Sequence, residues 1–225
     1  MLKSIKNLFF PKVCHACHNL LNDNEDTICM DCRHDLPVTN FHFDDTDSIA
    51  KALYGRAKIE NGTALFRFEK KGNVQQLIHN LKYRGHENIG FLLGNWLGGE
   101  LKSVEKYNTI DIVIPVPLHK KKLKTRGYNQ VALFGQQIAK AIHADYIDDV
   151  LLKVTNTKSQ SKKGRIARWV NSEELFTIQN TSSIENKHIL LVDDIITTGA
   201  TLEACISVLN EAKHIKISIA TMAIA

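Results

Sequence analysis

At 225 residues, 44% of them hydrophobic, the chain is long enough for one α/β domain with a small appendage. No apolar run approaches a membrane-spanning helix, and the N-terminal MLKSIKNLFFP offers only Leu8, Phe9 and Phe10 before Pro11, too short for the core of a signal peptide. A cytoplasmic protein with no membrane insertion is expected. The net charge of +5 is concentrated: residues 117–170 hold 12 Lys and Arg against 3 Asp and Glu, a balance of +9 that leaves −4 for the rest. Such a local basic segment suits a small polyanion better than loose attraction to nucleic acid.

Four of the five cysteines are organised. Cys14-His-Ala-Cys17 and Cys29-Met-Asp-Cys32 form two CxxC knuckles separated by eleven residues, a spacing that brings four thiolates around one tetrahedral ion, and structural zinc is expected. Redox chemistry is the rival reading, but a thioredoxin-type CxxC comes singly and opens a helix in a βαβ unit. His15, His18 and His34 stand second as ligands, because four cysteines already close the shell. The segment is too small for its own core, so the metal would supply its folding free energy. Residues 13–48 carry eight acids against Arg33, which disfavours DNA and favours a protein contact or a packed lid. Residues 1–40 read as this zinc-ribbon-like module, the polar and acidic residues 41–48 as a linker, and 49–225 as the main domain.

In the main domain, Ala64 to Phe68 read as a strand. Asn73 can cap a helix whose stripe is Val74, Leu77, Ile78 and Leu81. Lys82, Tyr83, Arg84 and Gly85 at its end fit either a helix stop or a ligand contact. A second helix is expected from about Ile89 to Val104, with Leu92, Leu93, Trp96, Leu97 and Leu101 inward and Trp96 in the core rather than stacked on a base. Ile110 to Pro117 is the next strand, ended by Pro115 and Pro117, which cannot donate to a ladder. A basic loop follows from Leu118 to Asn129, carrying His119, Lys120, Lys121, Lys122, Lys124 and Arg126 before Gly127. Arg126 is its expected phosphate contact, because a guanidinium pairs bidentately. A helix with Val131, Phe134, Ile138 and Ile142 inward comes next. Residues 157–176 are long and polar, as a lid would be.

The most informative stretch is HILLVDDIITTGAT, His188 to Thr201. Ile189, Leu190, Leu191 and Val192 suit a parallel strand covered on both faces. Asp193 and Asp194 are expected to end it, where open α/β sheets place ligands, and Thr197, Thr198 and Gly199 to form the turn. From Ala200 the pattern is helical, with Leu202, Cys205, Ile206 and Leu209 at i, i+3, i+4 and i+7. The helix would point its first amides into the turn, an arrangement that attracts phosphate. Vicinal carboxylates accept hydrogen bonds and suit the hydroxyls of a ribose. If the strand at Ile110 neighbours the one at Ile189, its basic loop faces this turn.

This stretch resembles the phosphoribosyl pyrophosphate motif of the type I phosphoribosyltransferases: four apolar residues, two acids, two apolar residues, then Thr-Thr-Gly. Together with CHAC and CMDC, IPVPLHKKKLKTRGYNQ, and TKSQSKKGRIARWVNSEELF, it is similar to the ComF family (ComFC/GntX-like proteins), which join a four-cysteine zinc module to a phosphoribosyltransferase domain. The resemblance implies a type I phosphoribosyltransferase fold, a central mostly parallel sheet flanked by helices behind a small zinc ribbon. It implies phosphoribosyl pyrophosphate as ligand with Mg²⁺, and displacement at the ribose anomeric carbon by a transferase. Asp193, Asp194 and Arg126 would be catalytic. Thr197, Thr198, Gly199, Ala200, Thr201, Lys124, Gly127 and Arg168 would join them in binding, and Cys14, Cys17, Cys29 and Cys32 would hold Zn²⁺.

The family resemblance also implies a role in DNA uptake and natural competence, with single-stranded DNA or competence proteins as partners. Thr197 stands where purine-base members carry an acid that works on the base, which disfavours purine salvage and leaves the acceptor open. No cysteine is placed to release ammonia from glutamine. A non-catalytic phosphoribosyl pyrophosphate sensor and a zinc-ribbon adaptor are the other readings. For stacking single-stranded DNA only Tyr128 and Trp169 are candidates.

Overall fold

The computed structural model describes residues 11–44, 48–154 and 175–225. Its elements in chain order are α1 (Met30–Asp35), α2 (Ser48–Ala52), β1 (Gly62–Arg67), α3 (Asn73–Tyr83), α4 (Asn88–Leu101), β2 (Ile112–Pro115), α5 (Lys120–Arg126), α6 (Ala132–Ile142), β3 (Asp145–Tyr146), β4 (Leu151–Val154), β5 (Leu175–Ile178), β6 (His188–Ile196), α7 (Ala200–Leu209) and β7 (Lys216–Ile224). Five strands form a wholly parallel sheet in the order β1-β7-β6-β2-β3, and β4 and β5 make a separate antiparallel pair. No helix of the described residues is long and apolar enough to cross a membrane.

The sheet is covered on both faces, which is why its central strands read as unbroken apolar runs. Successive side chains alternate between faces. Leu190 and Val192 of β6 join Val113 of β2 in one cluster with α3, α4 and α6. Ile189 and Leu191 join Ile112 and Ile114 in another with Ile49 and Leu53, the α7 stripe of Leu202, Cys205, Ile206 and Leu209, and Phe176 of β5. The helix α6 therefore lies on one face and α7 on the other. From the adjacent pair β2 and β6 the chain runs outward in opposite directions, to β3 and to β7, opening a crevice at their carboxyl ends. On the first face α4 meets α6 at glycines: a Cβ on Gly94 would sit 2.6 Å from the Phe134 carbonyl, and one on Gly98 2.9 Å from Ala141 Cβ.

Several local expectations are corrected. The acids do not end β6. Proline chemistry stops the β2 ladder at Pro115↔Val192, but β7 is long enough to keep pairing, with Asp193 opposite Thr221 and Ile196 opposite Ile224. Within the expected loop 118–129 the chain forms α5, none of whose residues is buried, closed by Gly127 at φ 87°. The N-cap of α3 is Gly72 and not Asn73, whose amide instead donates to Cys32 Sγ at 3.7 Å. In the stretch read as a linker, Phe41 and His42 are buried, since Thr39 and Arg67 tie this chain to β1 through Thr39 N–H to Leu65 O and Arg67 N–H to Pro37 O. Trp96 is partly buried and packs against the core, edge-on to Phe66, with its indole N–H given to Glu100 at 2.8 Å.

The cysteine segment has no core of its own. Cys14, Ala16, Ile28, Cys29, Cys32 and Leu36 belong to the same apolar cluster as Val74, Leu77 and Leu81 of α3. Arg33 lies over the Trp96 ring, 5.0 Å from its centroid.

Candidate functional site

At the end of β6 the chain turns through Thr197, Thr198 and Gly199 into α7. Gly199 is the N-cap at φ 77°, a left-handed conformation that also leaves no room for a side chain: a Cβ would lie 2.7 Å from Leu53 Cδ2. The Ala200 N–H leans toward Thr198 Oγ1 at 3.4 Å. Asp193, Ile195 to Thr201, and Leu202 line a pocket of about 40 Å³ over this helix end. The turn is braced from outside by Arg56, which donates to Thr198 O at 2.5 Å, to Ala52 O, and to Glu203 at 3.1 Å.

The two acids are both buried but do different things. Asp194 has a donor on each oxygen: Oδ1 accepts from Lys82 Nζ at 2.7 Å and Oδ2 from Gln130 Nε2 at 2.7 Å. Gln130 in turn accepts from Arg126, so Arg126, Gln130, Asp194 and Lys82 form one chain of polar contacts across the crevice. Asp193 accepts the Asp194 N–H at 2.8 Å. Burial first, and the Asp194 charge second, push its carboxyl up to about 8, against the opposing pull of that N–H and of Lys82 and Lys153. Asp194 is therefore the ion-paired member, whereas burial favours the neutral form of Asp193, an asymmetry that suits the two hydroxyls of a diol.

Beside the acids lies a cavity of about 420 Å³ lined by Lys82, Tyr83, Gly85, Lys121, Lys122, Thr125 and Arg126. Four of these seven residues are cations. Arg126 rests over the Tyr83 ring at 5.6 Å, and the Tyr128 hydroxyl donates to Leu81 O, which ties α5 to the end of α3.

Of the residues expected from sequence, the structure brings together Asp193, Asp194, Thr197, Thr198, Gly199, Ala200 and Thr201, with Arg126 reaching Asp194 through Gln130. Lys124 is exposed on α5 and does not line the cavity, and Gly127 serves as the left-handed cap of that helix. Arg168 lies outside the described residues. Sequence reading missed Gln130, the last residue of the IPVPLHKKKLKTRGYNQ motif, and Arg56, in a turn without pattern. Lys82 was visible as cap or ligand, and the structure shows it turned onto Asp194.

Cys14, Cys17, Cys29 and Cys32 place their four sulfurs within 4.8 Å of one another. The Cys17 to Cys29 separation is 3.7 Å, close to the edge of about 3.8 Å in a tetrahedron with metal–sulfur bonds of about 2.3 Å. Backbone N–H groups of Ala16 and Cys29 donate to Cys14 Sγ, and that of Cys32 to Cys29 Sγ, as suits thiolate ligands. At Cys14 burial is the largest single influence and raises the thiol, but the N–H groups of Cys17, Cys29 and Ala16 together outweigh it and hold it at about 7. The donor set fits one zinc ion with a closed shell. Among the described residues no other group of three or more His, Cys, Asp or Glu could hold a metal.

Residues 131–224 match the phosphoribosyl transferase domain model. With a parallel sheet, helices on both faces and the acids near the carboxyl end of β6, this defines the class: an α/β protein of the type I phosphoribosyltransferase fold carrying an N-terminal four-cysteine cluster. More particularly, the chain is similar to ComFC- and YhgH-type proteins. It is 26% identical over 191 residues to competence protein ComFC of Bacillus subtilis, covering 85% of this chain and 75% of that one. To ComFC of Streptococcus pneumoniae it is 30% identical over 149 residues, 66% of this chain and 61% of that protein. To the DNA utilization protein YhgH of Escherichia coli K12 it is 25% identical over 132 residues, 57% of each chain, so it spans little more than half of that relative. Among solved structures it is similar to the glutamine phosphoribosylpyrophosphate amidotransferase of B. subtilis, with 20% identity and a TM-score of 0.38 over 62% of this chain and 30% of that one.

Proposed function

We propose that the protein binds phosphoribosyl pyrophosphate together with magnesium and acts in the cytoplasm in the handling of DNA taken up during natural competence. The observation that carries the ligand reading is one juxtaposition at a single crevice: a buried acid pair, an anion-binding turn on one side and a four-cation cavity on the other. The ribose hydroxyls would meet Asp193 and Asp194, replacing the Lys82 and Gln130 donors. The 5-phosphate would sit on Thr197, Thr198, Gly199, Ala200 and Thr201, and the diphosphate in the cavity of Lys82, Lys121, Lys122 and Arg126, with Lys124 and Arg168 adding charge. The names of the relatives, competence proteins and DNA utilization proteins, support the biological setting.

Magnesium fits as a companion of the diphosphate rather than as the occupant of a protein cage, and would neutralise charge on the leaving oxygens. Transfer would form a bond from an acceptor to the anomeric carbon as the bond to diphosphate breaks. The chain would contribute position and charge, with Asp193 and Asp194 fixing the sugar and Arg126 facing the departing anion. Zinc on the four cysteines is structural in this reading, because four sulfurs leave no position for a substrate.

Calorimetry with phosphoribosyl pyrophosphate and Mg²⁺ tests the reading. Saturable binding is expected, weakened by about 1–3 kcal/mol in Asp194→Asn, the usual loss for hydrogen bonds to a charged group. Unchanged affinity in that variant would remove Asp194 from the site. Pyrophosphate release across a panel of bases, ammonia and single-stranded DNA separates a transferase from a sensor: silence with every acceptor favours the sensor.

A further inference from the structure

The cysteine cluster and the acid pair are connected by one helix. At the start of α3, the Asn73 amide donates to Cys32 Sγ at 3.7 Å. Two turns on, the buried Asn80 donates to the His15 carbonyl at 2.8 Å, inside the first knuckle. Its apolar face, Val74, Leu77, Ile78 and Leu81, shares a cluster with Cys14, Cys29 and Cys32. Its last turn then presents Lys82 to Asp194 at 2.7 Å, and the Leu81 carbonyl to the Tyr128 hydroxyl. Just past it, His86 stacks on His15 with ring centroids 4.0 Å apart. The helix thus carries knuckle contacts at Asn73 in its first turn and at Asn80 two turns on, with the crevice contact of Lys82 in its last turn.

We infer that the metal module positions the sugar-phosphate site, with Asn73 and Asn80 as positioning residues that hold α3 so that Lys82 reaches Asp194. The inference rests on the phosphoribosyl pyrophosphate reading only for its ligand consequence. A helix is stiff along its axis, and packed elements shift between discrete arrangements rather than stretch. Emptying the four-sulfur shell removes the free energy that orders the knuckles. The two anchors on α3 then lose their partners, and Lys82 loses its fixed place. The module would therefore act on the crevice without contributing a group to it.

The test uses the full chain with and without its metal, read by hydrogen–deuterium exchange. Stripping the metal with a chelator is expected to speed exchange at residues 79–86 and 193–199 at least fivefold, beyond the loss of protection in residues 13–36. Asn80→Leu keeps all four cysteines and the apolar packing. It is expected to retain one metal per chain by elemental analysis yet show faster exchange at 79–86. If 79–86 is unchanged by stripping, or metal-loaded Asn80→Leu exchanges there as the parent protein does, the inference is overturned, and a protein that holds no metal overturns it as well. Affinity for phosphoribosyl pyrophosphate with Mg²⁺ is expected to fall about tenfold on stripping. If the metal-loaded protein takes none of that ligand, the ligand reading fails while the exchange data still decide the coupling.

Discussion

Lys82→Met probes the arrangement at its most loaded contact. The substitution keeps the aliphatic stem and removes the ammonium that stands 2.7 Å from Asp194 Oδ1, with side chains 21% and 7% exposed. At that distance and an effective dielectric of about 20, the attraction alone is about 6 kcal/mol, most of it offset by desolvating the two charges. Losing one partner of a well-buried pair costs about 3–5 kcal/mol. Because Lys82 keeps partial access to water and Gln130 still donates to Asp194 at 2.7 Å, we expect about 2 kcal/mol here. Denaturant unfolding of Lys82→Met, Asp194→Asn and the double variant measures it as a cycle. The double variant should recover at least about 1 kcal/mol relative to the sum of the singles. A loss below about 0.5 kcal/mol in Lys82→Met, or strict additivity, would show that the pair is not a fixed part of the folded site.

Two further outcomes concern packing and titration. Gly94→Ala should destabilise the fold by about 1–3 kcal/mol, because the new methyl meets the Phe134 carbonyl at 2.6 Å on a rigid neighbouring helix; thermal melting reads it, and a neutral effect would mean that α4 and α6 pack less closely. The raised Asp193 predicts a pH slope. Below about pH 4 the carboxyl is protonated folded and unfolded and contributes nothing. Between about 4 and about 8 the unfolded chain has released the proton that the folded one keeps, so this group lowers stability progressively as pH rises, and the loss is complete above about 8. Asp193→Asn should therefore gain stability over the parent at pH 8 and little at pH 4, and an equal shift at both would refute the assignment.

Much of this architecture was legible in the chain. The apolar run 189–192 gave the central strand, and the 3.6-residue stripes at 202–209 and 131–142 gave the helices that cover its two faces. The paired knuckles gave the four-sulfur cluster, because ligand spacing is a local property. What stayed hidden is what depends on distant partners. The extension of β6 through its acids is decided by the length of β7, and the partners of Asp194 come 112 and 64 residues away in sequence. Arg56 is invisible as a brace until α2 is seen beside the Gly199 turn. The burial of Phe41 and His42 in an acidic stretch likewise needs β1 as its template.

A crystal structure of the protein with phosphoribosyl pyrophosphate and Mg²⁺ tests the central claim most directly. The account predicts ribose hydroxyls on Asp193 and Asp194, the 5-phosphate on the amides of residues 198–201, and Lys82 swung from Asp194 toward the diphosphate. A crevice without ligand at saturating concentration, with Lys82 and Gln130 still closed on Asp194, would contradict it.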